Sequence, residues 1–141
     1  RDVTWKNIPI NGKLDKIEFN GNEVHVVDYK TGSYRLAKQK MKGPTDKDPL
    51  GGEYWRQMVF YQILMDQQRQ KPWRMVSGEF DFLEKNPDSG KYEKERLVIT
   101  SDDTAIVGRQ IEEVYGKIRS LDFTEGCNEP DCEYCNLLKY E

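Results

Sequence analysis

The spacing of apolar residues changes period along the chain, and each change predicts an element. Residues 3–10 alternate loosely around Trp5, Ile8 and Ile10, and residues 12–19 and 23–29 keep the two-residue period on either side of Asn20-Gly21-Asn22. These segments predict a strand meander over 1–32. Over 33–52 the pattern is lost; the stretch is polar, ends in Pro49-Leu50-Gly51-Gly52 and predicts a basic loop, long enough for a connector to be mobile or functional. Over 53–70, Tyr54, Met58, Tyr61 and Met65 recur at helical spacing, and Pro72 closes that helix. Two alternating runs, 75–83 and 92–100, flank the turn Asn86-Pro87-Asp88-Ser89-Gly90 and predict an architectural hairpin within 71–100. A second helix is predicted over 101–122, capped by Ser101, with Asp102 and Asp103 at the positive end of its dipole. Its predicted buried stripe is Val107, Ile111, Val114, Ile118 and Leu121, and a cysteine-containing tail fills 123–141.

Strands flanked by two helices predict an α/β fold, a mixed β-sheet with helices against its faces. A chain of 141 residues is read as one domain, long enough to bury a core. Charged residues at 33% against 36% hydrophobic ones describe a globular mixture, and no apolar run is long enough for a membrane span or signal peptide. The expectation is therefore a cytoplasmic protein with no membrane partner. The chain opens at Arg1 directly into a strand-like segment, which reads as a piece of something longer. The net charge of −3 opposes a nucleic-acid partner, but Lys30, Arg35, Lys38, Lys40 and Lys42 form a stretch without an acidic residue. Such a stretch can track a phosphate backbone or be a solvated loop.

The chemistry concentrates in Gly12-Lys13-Leu14-Asp15 and Val27-Asp28-Tyr29-Lys30-Thr31-Gly32. Lys30 follows Asp28 by two and shares its strand face, while Tyr29 points the other way. A Gly21-Asn22 turn sets Asp15 directly opposite Asp28, and an Asn20-Gly21 turn makes them diagonal neighbours. Two like charges facing each other beside a valine run call for a cation or proton to offset them, which is the argument for a metal site.

These two motifs, together with Gln57-Met58-Val59-Phe60-Tyr61 on the next helix, resemble the PD-(D/E)XK nuclease superfamily, and within it the RecB-like branch at the ends of RecB-, AddA- and AddB-type helicase-nucleases. The resemblance implies a restriction-endonuclease-like core and a metal-dependent deoxyribonuclease of DNA repair or recombination, exonuclease action included. It implies magnesium or manganese held by Asp15, Asp28 and the backbone carbonyl of Tyr29. Lys30 would orient water or neutralise phosphoryl charge, a role that a salt bridge to Asp28 or Glu18 does not exclude. Gln57 and Tyr61 match the QxxxY motif of that branch, although Tyr61 also belongs to the apolar stripe. The implied partners are DNA, single-stranded or at ends, and a helicase domain in the same or a partner chain. A catalytically inactive module that binds single-stranded DNA or scaffolds a repair complex is the alternative; a restriction-type endonuclease is disfavoured by QxxxY.

Two departures accompany the resemblance. The branch carries a further metal-binding His or Glu on a helix upstream of the sheet, and His25 does not replace it by motif, being on the strand face opposite Asp28. An N-terminally truncated piece is thus expected to bind metal weakly and to be inactive alone. The second departure is the tail, where Cys127, Cys132 and Cys135 fall within nine residues. Some RecB-like nucleases ligate a 4Fe-4S cluster with such cysteines, but the CxxxxCxxC spacing here differs from theirs. Iron–sulfur clusters and zinc both need a fourth ligand. A metal role in the intact protein and a merely packed cysteine hook both stay open, with disulfides disfavoured.

Overall fold

A computed structural model describes residues 3–122, 126–127, 132–133 and 135. The chain divides into two compact units, residues 1–110 and 111–141. The first unit holds a two-stranded hairpin, β1 (Val3–Trp5) and β2 (Ile8–Ile10), and a four-stranded sheet of β3 (Lys16–Asn20), β4 (Glu23–Lys30), β5 (Arg74–Lys85) and β6 (Tyr92–Leu97). It also holds the short helix α1 (Tyr34–Ala37), α2 (Glu53–Gln67) and the first half of α3 (Ser101–Ser120). The sheet order is β3-β4-β5-β6, with β4 and β5 parallel and the outer pairs antiparallel, so the architecture is mixed α/β as expected.

The predicted single meander is corrected at its start. Residues 3–10 fold back on themselves through Lys6 and Asn7, both at positive φ, and pair as a separate hairpin. Two positive-φ residues match the right-handed twist of a two-residue hairpin, and nothing in Lys-Asn signals this as an Asn-Gly pair would. The next hairpin follows the first of the two proposed registers. Asn20 pairs with Glu23, leaving Gly21-Asn22 as the turn, with Gly21 at φ +61° as the first central residue of a II′ turn requires.

A parallel neighbour needs a crossover, and α2 supplies it between β4 and β5. Its sheet-facing side carries Met58, Tyr61 and Met65, which join Val24, Val26, Phe80 and Phe82 in the core. The stripe understates this helix, because Trp55, Val59 and Ile63 are buried as well. α2 also packs on β1, so both of its sides are covered and its pattern loses amphipathic contrast. Gly78 makes the sheet side possible, since a Cβ there would collide with the Met58 side chain, itself fully buried.

The 33–52 connector is packed rather than loose. Ala37 and Met41 are buried, and the Lys40 carbonyl accepts the backbone N–H groups of Tyr54 (2.9 Å) and Trp55 (3.0 Å). The N-cap of α2 is Gly52, which has no side chain to satisfy those donors, so the connector does it instead. A Cβ on Gly52 would strike that same Lys40 carbonyl.

At α3 the cap lies one residue earlier than expected. Thr100 Oγ1 accepts the Asp103 N–H at 3.2 Å while the Asp103 carboxylate accepts the Thr100 N–H at 2.9 Å, a reciprocal capping box that leaves Ser101 inside the helix. The predicted stripe is also only partly buried. Val107 is 4% exposed, whereas Val114, Ile118 and Leu121 are 57%, 49% and 78% exposed. Helical period identifies which face is apolar and says nothing about whether another element covers it.

Gly78→Val is expected to destabilise the first unit by about 1–3 kcal/mol through overpacking against Met58. Gly32→Ala, where nothing lies within 4 Å of the added carbon, should change the unfolding free energy from urea titration by less than about 0.5 kcal/mol. Equal midpoints for the two variants would refute the packing role of Gly78.

Candidate active site

β4 alternates Val24, Val26, Asp28 and Lys30 toward α2, and this alternation draws a charged pair into an apolar layer. Asp28 is 3% exposed. One of its oxygens, Oδ1, accepts hydrogen bonds from Gln57 Nε2 at 2.9 Å and from the Tyr61 hydroxyl at 3.0 Å. The other, Oδ2, lies 2.8 Å from Lys30 Nζ as an ion pair, yet it is buried and no hydrogen bond is directed at it. Lys30 Nζ donates instead to Gln57 Oε1 at 2.7 Å, and Gln57 Nε2 also donates to the Tyr61 hydroxyl oxygen at 2.7 Å. Gln57 and Tyr61 reach the same carboxylate because residues four apart share a helix face.

Asp15 lies just before β3, and extending the observed register places it opposite Asp28. The regular ladder has ended there, and Asp15 Oδ2 accepts the Tyr29 backbone N–H at 3.1 Å. In an antiparallel pair a residue's N–H and C=O face the same neighbour, so the Tyr29 carbonyl also turns toward the end of β3. The like-charge problem is thus partly met by the protein itself, through this N–H for Asp15 and the ammonium for Asp28. All five expected side chains, Asp15, Asp28, Lys30, Gln57 and Tyr61, converge at one end of β4.

The donor set fits a hard divalent cation: a backbone carbonyl and two carboxylates, one of which keeps a buried oxygen without a hydrogen bond. Burial of the Tyr61 phenol, reinforced by the Asp28 carboxylate and opposed by the Gln57 amide, pushes its pKa up to about 12. Tyr61 therefore stays a neutral donor to Asp28 across the ordinary pH range.

A profile of the PD-(D/E)XK nuclease superfamily matches residues 2–139. The chain belongs to this superfamily. No curated protein matches it. Members of the superfamily are generally nucleases, hydrolases acting on nucleic acid, and the mixed sheet with its helices agrees with their restriction-endonuclease-like fold.

In this nuclease-family chain the remaining polar groups of the sheet point away from the site. His25 Nδ1 accepts from the Ser77 hydroxyl at 2.7 Å and from Arg96 Nη2 at 3.0 Å, on the face opposite Asp28. Glu79 and Asp81 share that opposite face, where Lys94 bridges them at 3.2 and 2.9 Å. Of the basic stretch only Lys30 enters the hydrogen-bond network; Lys40 pairs with Glu53 at 2.7 Å and lies 5.3 Å from the centroid of the Tyr54 ring. One residue near the chemistry went unread in the sequence. The Tyr54 ring lies beneath Lys30, and its spacing of three from Gln57 was a signal that the stripe absorbed as packing.

In the second unit the Sγ atoms of Cys127, Cys132 and Cys135 lie within 4.8 Å of one another. Cys127 and Cys135 stand 3.4 Å apart, well beyond a bonded S–S distance. Among the described residues the group offers three soft ligands. Most of the surrounding tail lies outside the described residues. Among the described residues no helix is long and apolar enough to cross a membrane.

The raised Tyr61 pKa makes a directional prediction. A phenol whose folded pKa exceeds its unfolded value near 10 contributes stability that is intact below pH 10 and lost as pH rises through about 12. Urea unfolding should show wild type losing on the order of 2 kcal/mol more than Tyr61→Phe between pH 9.5 and 12. Parallel losses in the two proteins would refute the assignment.

Proposed function

We propose that this chain is a metal-dependent deoxyribonuclease domain of the RecB-like branch, working beside a helicase domain in DNA-end processing for repair or recombination. The observation that carries the reading is the division of labour at Asp28. Its Oδ1 is filled by the Gln57 amide and the Tyr61 hydroxyl, which leaves the buried Oδ2 without a hydrogen bond. A purely structural buried carboxylate is expected to have both oxygens satisfied. The contact of Gln57 with both Asp28 and Lys30 gives the QxxxY pattern a physical role and supports the RecB-like assignment.

Asp15, Asp28 and the Tyr29 carbonyl would hold magnesium or manganese. When bound there, the ion supplies Lewis-acid polarisation of the scissile phosphate and acidifies a water. Lys30 sets a positive charge beside the position where phosphoryl charge grows, and its ammonium can orient the attacking water. Gln57 keeps Lys30 and Asp28 in fixed relation, so that both arrive pre-positioned. Tyr61 holds the carboxylate in one rotamer through a hydrogen bond that costs nothing to retain at neutral pH, since the phenol stays protonated. We assign Cys127, Cys132 and Cys135 to an iron–sulfur cluster or a zinc ion completed by a ligand outside this trio.

The test is cleavage of labelled single-stranded DNA by the intact protein with magnesium or manganese. Wild type should cut and stop cutting on chelation, while Asp28→Ala and Lys30→Ala lower kcat by about 10²–10⁴-fold. DNA bound without cleavage under either metal would instead make the chain a binding or scaffolding module. For the cysteines, elemental analysis should find iron with sulfide, or zinc, retained by wild type and lost from Cys132→Ser; equal metal content in both refutes the ligand role.

A further inference from the structure

We infer that Tyr54 is a positioning residue for Lys30, presenting an aromatic face to the ammonium where a hydrogen-bond acceptor would otherwise stand. For its effect on catalysis the inference rests on the nuclease reading. Lys30 Nζ lies 4.0 Å from the centroid of the Tyr54 ring and 5.3 Å from that of Phe80. Its two oxygen partners are Asp28 Oδ2 at 2.8 Å and Gln57 Oε1 at 2.7 Å. An ammonium carries three hydrogens. One is donated to Gln57 Oε1, the Asp28 contact is an ion pair with no hydrogen bond directed at Oδ2, and the Tyr54 side of the nitrogen meets a π face.

The ring is itself fixed. Its centroid lies 5.5 Å from that of Phe80, a fully buried residue, and the Tyr54 backbone N–H is tied to the Lys40 carbonyl at 2.9 Å. Tyr54 precedes Gln57 by three and Tyr61 by seven on α2, so one helix face provides the ring under Lys30, the amide beside it and the hydroxyl on Asp28. Lysine has a long flexible stem and loses much rotamer freedom when confined. The Tyr54–Phe80 wall removes the volume into which that stem would otherwise swing.

The chemical consequence lies in what a ring face does not do. A carboxylate or carbonyl in the place of Tyr54 would bind an N–H directionally and strongly. A π face attracts the cation without a directed acceptor. The ammonium is thus held in place by the Gln57 hydrogen bond, the Asp28 charge and the ring, and keeps hydrogens that no directed acceptor binds for a phosphoryl oxygen or an attacking water.

Tyr54→Leu retains bulk and removes the π face. It should lower kcat by about tenfold with KM for single-stranded DNA within about twofold of wild type, and Tyr54→Phe should restore kcat to within about twofold of wild type. A second readout does not depend on cleavage. In protein carrying isotope-labelled lysine, the Lys30 ε-methylene signal, assigned by its loss in Lys30→Arg, should be shifted upfield by the ring in wild type and Tyr54→Phe. It should return to the common lysine position in Tyr54→Leu. A Lys30 signal at the common position in wild type overturns the inference, as does Tyr54→Leu with unchanged kcat. If wild type cuts with neither metal the nuclease reading fails, and the Lys30 signal alone then decides the contact.

Discussion

A carboxylate buried in an apolar layer must be compensated, and Asp28 imposes that condition on everything around it. Taking an ionised carboxylate out of water costs several kcal/mol even after relaxation. Two hydrogen bonds to a charged acceptor return about 1.5–3 kcal/mol each. The donors that supply them come from α2, while the ion-pair partner comes from the strand of Asp28 itself. The compensation therefore fixes the rotation of α2 over the sheet, because only one helix face presents Gln57 and Tyr61 together.

The rest of the first unit lets the helix take that position. A parallel β4–β5 pair requires a crossover, and the crossover places α2 across both strands. Gly78 removes the side chain that would hold Met58, and with it the helix, away from β5. The connector then finishes the helix from its other end, since the Lys40 carbonyl satisfies donors that Gly52 cannot cap. Beyond Lys16 the β3 ladder stops, so the strand end that carries Asp28, Tyr29 and Lys30 stays open beside Asp15. Backbone left unpaired at the edge of a sheet is a liability, and here a carboxylate caps it while remaining exposed.

Much of this was legible in the sequence because it depends on short-range periodicity. The two-residue period put Asp28 and Lys30 on one face, either of two possible turns brought Asp15 to Asp28 with the structure taking Gly21-Asn22, and the four-residue step put Gln57 beside Tyr61. The clustering of three cysteines likewise foreshadowed their convergence. What escaped depends on partners distant in sequence or on choices between near-equivalent residues. Thr100 and Ser101 are both able caps, and only Thr100 sits three residues before an acid that can bond back to it. Lys6-Asn7 makes a tight turn that its composition does not announce. The stripe of α3 was visible, while the exposure of Val114 and Ile118 was not, because period carries no information about coverage. Tyr54 was visible as an apolar position, and its contact with Lys30 depends on the strand lying beneath it.

The identity of residue 30 follows from the same constraint. An arginine at position 30 would present a planar fork that matches a carboxylate with two parallel hydrogen bonds. Such a pair would satisfy both oxygens and turn the site into a structural ion pair. Lysine offers a compact charge whose donors rotate, so it neutralises Asp28 across Oδ2 while directing its hydrogen bond to Gln57. The carboxylate is compensated in charge without being saturated in hydrogen bonds, at the strand end where Asp15 holds the Tyr29 N–H. Oδ1 is thereby committed to the fold, and under the proposed function Oδ2 is the atom left for an oxygen-seeking cation.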